Sequence, residues 1–138
     1  MKKIGVLSDT HLTGYDQAFE ALAVRYFSDS DLIIHAGDMV TLGVLDPLFQ
    51  LNAEVVAVCG NMDFEEVQAA YPAKRIITVE DVRIGIIHGW GNPHGIRARI
   101  RASFEAVDAI VYGHSHQPFS AVESGIFFFN PGSAAESR

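Results

Sequence analysis

Five short apolar runs recur along the sequence, and polar residues follow each run directly. The runs are rich in β-branched side chains and bounded by turn residues, which is typical of strands that are buried on both faces. They read IGVLS, LIIHAG, EVVAVCG, RIGIIHG and AIVYG, and they occupy residues 4–8, 32–37, 54–60, 83–89 and 109–113. The pattern therefore predicts a chain that is built around buried strands.

Helical patterns lie between the early runs. Residues 16–27 form one such pattern, whose apolar face consists of Phe19, Leu22, Ala23, Tyr26 and Phe27. Shorter helices are predicted at residues 43–50, 64–70 and 95–104. Because strands and helices alternate in this part of the chain, parallel strands joined by right-handed crossovers are favoured.

Two later segments have the pattern of β-hairpins instead. Residues 75–87 (RIITVEDVRIGII) contain two β-rich runs joined by Glu80 and Asp81. Residues 119–129 (FSAVESGIFFF) turn around Ser124. The residues alone thus predict an α/β chain with either two sheets or one mixed sheet. With 138 residues, of which 49% are apolar, residues 1–138 are predicted to form a single domain.

The composition limits the classes of function. The formal net charge is −7, and an acidic chain lacks the cations that meet phosphates in non-specific nucleic-acid binding, so no nucleic-acid scaffold function is expected. The one cysteine, Cys59, forms no internal disulfide. The first apolar stretch ends at Leu7, which is too short for a secretory signal, and no run approaches a membrane span. A soluble, cytoplasmic protein is predicted.

Every apolar run delivers an Asp, Asn or His at its carboxyl end, where α/β sheets bind ligands. The residues at these ends are Asp9, His11, Asp38, Asn61, Asp63, His88, His114 and His116. Each alone is an ordinary turn residue or core histidine, but together they would be costly to bury without a cation. Since residues two apart in extended chain point to the same side, Asp9 with His11 and His114 with His116 are each expected to form a two-pronged clamp.

The order of these motifs resembles that of a known family. SDTHL (8–12), HAGD (35–38), GNMD (60–63) and NPGS (130–133), with the two histidine motifs between them, resemble the calcineurin-like metallophosphoesterase superfamily. Within it, the chain resembles the small bacterial and archaeal phosphodiesterases of the YfcE type. The resemblance spans residues 4–133 and implies a two-sheet α-β-β-α sandwich with mixed strands and flanking helices.

The resemblance also implies a dinuclear metal site that Asp38 bridges. The first ion would take Asp9, His11, Asp38 and His116, and the second would take Asp38, Asn61, His88 and His114. Imidazole and carboxylate ligands without thiolate suit Mn²⁺, the first expectation, or Fe, Zn²⁺ or Ni²⁺. Two ions about 3.5–4 Å apart can share a hydroxide that attacks phosphorus and can clamp the phosphate oxygens. The residues expected to take part in catalysis are Asp38, Asn61, His114 and Asp63.

Two residues beside the third motif bear on proton transfer. Many members of the superfamily carry a histidine directly after Gly-Asn, where it can protonate the leaving group, but this chain has Met62. No general acid is therefore evident. Asp63 has two open roles: it orients a histidine or a water from behind the ligands, or it caps a turn.

Residues 90–101 contain the candidates for substrate contact. Trp90 either stacks on the substrate or covers the edge of the core, and His94 could contact the phosphate or the leaving group. Arg97 and Arg101 share a helical face, and Arg99 lies between them. The three arginines form either a solvated side of a helix or a rim that steers phosphate.

Taken together, these features favour a metal-dependent phosphodiesterase that acts on a small phosphodiester or phosphate ester. The alternative is a non-catalytic protein-interaction scaffold of the same fold, as in the retromer subunit of this superfamily. All seven ligand positions are intact in this sequence, which favours the enzyme.

A homodimer is also predicted. The strand GIFFFN (125–130) is apolar on both faces, and the chain ends soon after it, whereas family members continue with further strand. An unpaired edge there would invite a partner strand. The intramolecular alternative is that one face packs on the other sheet and the helix at 95–104 covers the rest.

Overall fold

The structure is a computed structural model that describes residues 2–12 and 16–134, and in this part of the chain eight strands form two sheets. The smaller sheet has the order β1-β2-β3 and is parallel throughout. Its strands are β1 (Ile4–Leu7), β2 (Leu32–His35) and β3 (Glu54–Ala57). The first three apolar runs are thus parallel strands, as predicted.

The larger sheet is mixed, with the order β4-β5-β6-β8-β7. Its strands are β4 (Lys74–Val79), β5 (Val82–Ile87), β6 (Ala109–Val111), β7 (Phe119–Glu123) and β8 (Ile126–Asn130). Strands β5, β6 and β8 run parallel, while β4 and β7 pair antiparallel at the two edges. Both hairpins are confirmed, and the alternative of one mixed sheet is wrong.

The two hairpins turn through residues with left-handed backbone. Glu80 and Asp81 have φ of 48° and 71°, and Ser124 and Gly125 have φ of 53° and 82°. Positive φ at both central residues is the requirement of the type I′ turn, whose twist matches that of the flanking strands.

Four α-helices flank the sheets in the described part of the chain. They are α1 (Gln17–Phe27), α2 (Asp46–Phe49), α3 (Glu65–Ala70) and α4 (Ile96–Arg101), and a 3₁₀ turn at Leu42–Leu45 leads into α2. Asp16 caps α1 because its side chain accepts the Phe19 N–H at 2.9 Å. Tyr26 is 57% exposed, so this residue of the predicted apolar face is not buried. No helix within residues 2–12 and 16–134 is long and apolar enough to cross a membrane.

The layers are helix, sheet, sheet and helix. One apolar cluster lies between the sheets and joins residues such as Ile34 and Val56 of the smaller sheet to Ile86 and Val111 of the larger one. A second cluster packs α1, α2 and α3 on the outer face of the smaller sheet. A third packs α4 on the outer face of the larger sheet. This α-β-β-α sandwich confirms the expected fold class.

Strand β8 lies inside the larger sheet, between β6 and β7. The expectation that GIFFFN offers an unpaired edge is therefore wrong, because both of its backbone edges are paired within the chain. Phe128 is buried in the same cluster as Ile96 and Ile100 of α4, which is the intramolecular alternative. On the opposite face, Phe127 is 39% exposed and its ring stacks on Phe129. The homodimer stays a prediction, without the edge that motivated it.

Candidate metal centre

The loops that follow β1, β2, β5 and β6 meet at one edge of the sandwich and bring five acidic and imidazole side chains together. Oδ1 of Asp9 lies 3.2 Å from Nε2 of His116. It lies 3.6 Å from Nε2 of both His11 and His88. Oδ2 of Asp38 lies 3.1 Å from Nε2 of His88 and 3.4 Å from Nε2 of His11. Two carboxylates thus face three imidazoles across one small volume.

The arrangement fits a bound cation. Oδ1 of Asp9 and the Nε2 atoms of His11 and His88 are buried and make no hydrogen bond. A buried polar atom without a partner is costly, and three that converge on one point form a ready ligand set. Ligand atoms about 2.0–2.2 Å from one ion lie roughly 3–3.4 Å apart, close to the separations observed here.

The side chains form two groups. Asp9, His11 and His116 form one, and Asp9, Asp38 and His88 form the other, so Asp9 belongs to both. The imidazole rings pair in the same way, because the His11 and His116 centroids are 5.2 Å apart. Those of His88 and His114 are 5.3 Å apart. The histidines of the GHSH motif thus lie in different halves of the site. Asp38 faces His11 and His88, one from each half, as a bridging residue would.

Backbone carbonyls fix two of the imidazoles. Nδ1 of His88 lies 2.8 Å from the carbonyl of Ala36, and Nε2 of His114 lies 2.8 Å from the carbonyl of Gly91. A carbonyl oxygen only accepts, so each of these nitrogens carries the hydrogen. In the neutral rings the lone pair is then on Nε2 of His88, which faces the two carboxylates, and on Nδ1 of His114.

Asp38 and His88 influence each other's protonation. Burial raises the pKa of Asp38, but the close approach and charge of the His88 imidazole outweigh burial and leave that pKa below its usual value. Burial lowers the pKa of His88, but Asp38 and then Asp9 outweigh it and raise the pKa above its usual value. The pair therefore favours a carboxylate beside an imidazolium, and a metal ion would displace the imidazolium proton.

Asp63 braces two loops through backbone contacts. Its Oδ1 accepts the Val40 N–H at 2.6 Å, and its Oδ2 accepts the N–H groups of Gly60 at 2.6 Å and Asp38 at 3.2 Å. Oδ1 of Asp38 in turn accepts the Met62 N–H at 2.7 Å. Of the roles left open for Asp63, the bond from the Gly60 N–H, three residues away, is that of a turn cap, and the bonds from Val40 and Asp38 extend it across the site. They lock the loop after β2 to the loop after β3.

Asn61 and Trp90 lie on the His88 side of the centre. Together with Cys59, His88 and Gly89 they line a shallow depression of about 250 Å³ next to the His88 side of the centre. Trp90 is 47% exposed on its wall, so it does not simply cover the core.

The structure gives His94, Arg97 and Arg101 different surroundings. His94 is exposed and its backbone N–H donates to Oδ1 of Asn92. Arg97 packs on the larger sheet, because Nε donates to Glu123 at 2.6 Å and the guanidinium lies 3.9 Å from the Phe119 ring. A solvated helix side therefore describes Arg101, which is exposed, but not Arg97.

The backbone at the site is left-handed, which sequence reasoning missed. Five of the seven candidate ligands have positive φ: Asp9 (55°), His11 (52°), Asp38 (59°), His114 (69°) and His116 (61°). The extended backbone expected there is therefore wrong, although Asp9 and His11 do converge as expected. Tight left-handed turns, not extended chain, aim these side chains, and each such residue stores about 1 kcal/mol or more of strain.

Two glycines allow the backbone to pass close to the carboxylates. A Cβ on Gly60 would lie 2.2 Å from Oδ1 of Asp38, and a Cβ on Gly113 would lie 2.7 Å from Oδ2 of Asp9. No side chain fits at either position without moving the carboxylate.

Residues behind the site support Asp9. Oγ of Ser8 donates to Oδ2 of Asp9 at 2.6 Å, and Oγ of Ser133 donates to its backbone carbonyl at 2.9 Å. Nδ2 of Asn130 donates to the Gly113 carbonyl at 3.1 Å. The sequence had signalled Asn130 and Ser133 through the NPGS motif, but not their contacts.

His35 is fully buried behind the centre. Its Nδ1 accepts the Gly37 N–H at 3.1 Å, so Nε2 carries the hydrogen that it shares with Oγ1 of Thr10 at 3.1 Å. Burial, with a smaller effect from His88, lowers the pKa of His35 to about 3. His35 is therefore a neutral link between the loops after β1 and β2.

Comparisons with known proteins agree with this architecture. Residues 1–138 match the family model of the calcineurin-like phosphoesterase superfamily domain. A probable metallophosphoesterase of Methanocaldococcus jannaschii is 44% identical over 140 residues, which cover 98% of this chain and 69% of that protein.

Two solved structures are similar in fold. One belongs to a study of a novel archaeal phosphodiesterase, with 26% identity, a TM-score of 0.76, and coverage of 98% of this chain and 86% of that chain. The other is Vps29 of Entamoeba histolytica complexed with Zn²⁺, with 24% identity, a TM-score of 0.75, and coverage of 96% and 74%. With the family match over its full length, the chain belongs to the calcineurin-like phosphoesterase superfamily.

Proposed function

We propose that this protein is a metal-dependent phosphodiesterase with a dinuclear site. The observation that carries the proposal is the convergence of buried, unpartnered atoms of Asp9, His11 and His88 beside the Asp38 carboxylate. Membership of a phosphoesterase superfamily and similarity to an archaeal phosphodiesterase support it. Mn²⁺ is the first expectation for the metal, and Fe, Zn²⁺ and Ni²⁺ fit the same ligand set.

The ligand assignment is the one that the resemblance to the superfamily implies, and the two groups of side chains support it in part. Asp9, His11 and His116 would hold one ion with Asp38, and Asp38, Asn61, His88 and His114 would hold the other. When bound, such a pair supplies a nucleophile at neutral pH and neutralises charge on the phosphate. The carbonyls of Ala36 and Gly91 keep the imidazole lone pairs of His88 and His114 available, and Asp63 keeps Asp38 in place.

The exposure of the side chains indicates the direction of substrate approach. The side chains of Asp9 and Asp38 are 0% and 3% exposed, whereas those of His11 and His116 are 31% and 30% exposed. The carboxylates therefore form the floor of the site, and His11 and His116 form its open side. A phosphate that enters from solvent would meet the imidazole side first.

The depression beside His88 would receive one ester substituent. Trp90 offers an exposed aromatic face there, and Asn61 offers an amide. The Met62 side chain is exposed at the position where many relatives carry a histidine, so the chain supplies no general acid from that position. We propose Trp90 as a substrate contact, and His94 as a second one on the same loop.

The interaction scaffold is the alternative. A Vps29 of the same fold is a zinc complex, so metal binding alone does not distinguish a scaffold from an enzyme. Turnover does. The complete set of seven ligand positions favours the enzyme.

We also propose that residues 1–138 act as one cytoplasmic domain on a small phosphate ester and that two copies form a homodimer. The single cysteine is consistent with a reducing compartment. Sedimentation at micromolar concentration measures the oligomeric state.

The test of the proposed function is a metal-reconstituted assay. The chelator-treated protein is reloaded with Mn²⁺, Fe²⁺, Zn²⁺ or Ni²⁺ and given bis(p-nitrophenyl) phosphate and p-nitrophenyl phosphate. Metal-dependent release of nitrophenol, faster from the diester, is expected. The Asp9→Asn variant is the matched control, because it keeps the shape of the side chain but removes a charged ligand from both groups. Absence of turnover with every metal, together with tight metal binding, would favour the scaffold.

A further inference from the structure

Arg99 in α4 holds the loop at residues 90–94 through its guanidinium. Nε and Nη2 donate to the Trp90 carbonyl at 3.1 and 2.8 Å, and Nη1 donates to the His94 carbonyl at 3.2 Å. Nη2 also donates to the Asn92 carbonyl. Three carbonyls at alternate positions of the loop thus point at one guanidinium, whose planar group of N–H donors suits several acceptors at once.

The helix that carries Arg99 is itself fixed to the larger sheet. Ile96 and Ile100 of α4 are buried in one cluster with Ile110, Tyr112 and Phe128. The guanidinium therefore has a rigid base. The carbonyls of the exposed loop at residues 90–94 bond this guanidinium and so hold the loop against α4.

Gly91 connects this loop to the metal centre. It lies between Trp90 and Asn92, and its carbonyl is the acceptor for Nε2 of His114 at 2.8 Å. A Cβ on Gly91 would lie 3.3 Å from Cζ of Arg99, and the φ of Gly91 is 81°. The backbone of Gly91 thus packs against the guanidinium on one side and bonds the candidate ligand on the other.

We infer that Arg99 is a positioning residue for His114. It fixes the Gly91 carbonyl, and that carbonyl fixes which nitrogen of His114 carries the hydrogen and which one keeps its lone pair for a metal. The inference rests on the proposed function where it treats His114 as a metal ligand. The contact from Arg99 through Gly91 to His114 does not depend on that assignment. Neither Arg97 nor Arg101 has this role, because Arg97 bonds Glu123 and Arg101 is exposed.

The experiment compares Arg99→Gln with Arg101→Gln, which removes the same charge from the same helix. Trp90 is the one tryptophan of the sequence, so its fluorescence reports on the loop. In metal-free protein, Arg99→Gln should increase acrylamide quenching of Trp90 and remove the slowly exchanging His114 Nε2–H signal from the NMR spectrum. The Mn²⁺ affinity of the site that includes His114 should fall by about tenfold, as for other groups that orient a ligand. Arg101→Gln should match the wild type in all three measurements.

Gly91→Ala approaches the same contact from the loop and keeps the test decisive if Arg99→Gln does not fold. It should give the same three changes, with Gly43→Ala as its matched control, because a Cβ on Gly43 meets nothing within 4 Å. If the Trp90 loop loosens while the His114 Nε2–H signal and the Mn²⁺ affinity stay at wild-type values, the inference is overturned. A wild type that binds no metal refutes the proposed function instead, and the metal-free NMR measurement still decides the role of Arg99.

Discussion

The Asp38 carboxylate lies 3.1 Å from Nε2 of His88, and the two side chains are only 3% and 2% exposed. The pKa of His88 is raised mainly by this carboxylate, against the effect of burial. A histidine whose folded pKa is above its unfolded value of 6.5 stabilises the protein fully below that value. The stabilisation is lost as the pH rises through the folded pKa.

The contact between Asp38 and His88 predicts that the stability of the metal-free protein and its Mn²⁺ affinity change in opposite directions as the pH rises. Without metal, stability should fall as the pH rises above about 6.5, because the imidazolium beside Asp38 is lost. With Mn²⁺, affinity should rise over the same range, because the ion needs neutral His88. Thermal unfolding at about pH 6 and about pH 8, with chelator and with Mn²⁺, measures both trends.

The control for the pH prediction is His94→Gln, which removes an exposed histidine and should leave both trends intact. In His88→Gln both trends should weaken. A wild type whose Mn²⁺-induced stabilisation is the same at both pH values would contradict the prediction.

The glycine after β3 should be necessary for the metal centre. Gly60→Ala places a Cβ 2.2 Å from Oδ1 of Asp38 and 2.6 Å from its backbone nitrogen. The carboxylate must move, so we expect about 1–3 kcal/mol lower stability and a clear loss of Mn²⁺ affinity. Denaturant unfolding and metal titration measure the two effects.

Gly43→Ala is the matched control, because nothing lies within 4 Å of its added Cβ. It should leave stability unchanged or raise it by up to about 1 kcal/mol. If the Gly43 and Gly60 variants bind Mn²⁺ equally well, close packing at Gly60 is not what positions Asp38.

Asp63 should stabilise the fold by accepting backbone N–H groups rather than take part directly in catalysis. Asp63→Ala leaves the N–H groups of Val40, Gly60 and Asp38 without their acceptor. We expect a loss of about 2–4 kcal/mol in the free energy of unfolding, because unsatisfied buried donors are expensive. Glu105→Ala, which removes an exposed carboxylate, is the control and should have little effect. A stable Asp63→Ala protein with reduced turnover alone would instead indicate a direct catalytic role.

Because Met62 stands where many relatives have a histidine, the rate of hydrolysis should depend strongly on the pKa of the leaving group. No histidine is present there to protonate the departing oxygen, and general acid catalysis contributes about 10²–10⁴-fold. Activated aryl diesters should therefore react much faster than alkyl diesters. Met62→His should flatten the dependence of kcat/KM on leaving-group pKa. Equal rates for good and poor leaving groups in the wild type would argue against the prediction.

The sequence predicted the strands and the place of the centre because both follow from local rules. Buried parallel strands need continuous apolar runs, and their carboxyl ends share one edge of the sheet. That is why Asp9, Asp38 and His88 could be expected together before any geometry was known. The hairpins at Glu80 and Ser124 were equally local.

Other features depend on tertiary geometry that no local pattern encodes. The left-handed backbone at Asp9 and His114 is imposed by the turns that meet at the centre. The interior position of β8 depends on β7 folding back along its edge, so Phe128 alone could not reveal it. Arg97 and Arg99 are two residues apart in one helix, yet one packs on a sheet and the other holds a loop.

The most direct test of the central claim is the number of Mn²⁺ ions bound per chain, measured by calorimetry or equilibrium dialysis together with diester turnover. The wild type should bind two ions and hydrolyse the diester. Asp38→Asn removes the shared carboxylate and should lose both tightly bound ions and nearly all turnover. Two ions retained in Asp38→Asn, or a wild type that reaches full activity with a single ion, would contradict a dinuclear site bridged by Asp38.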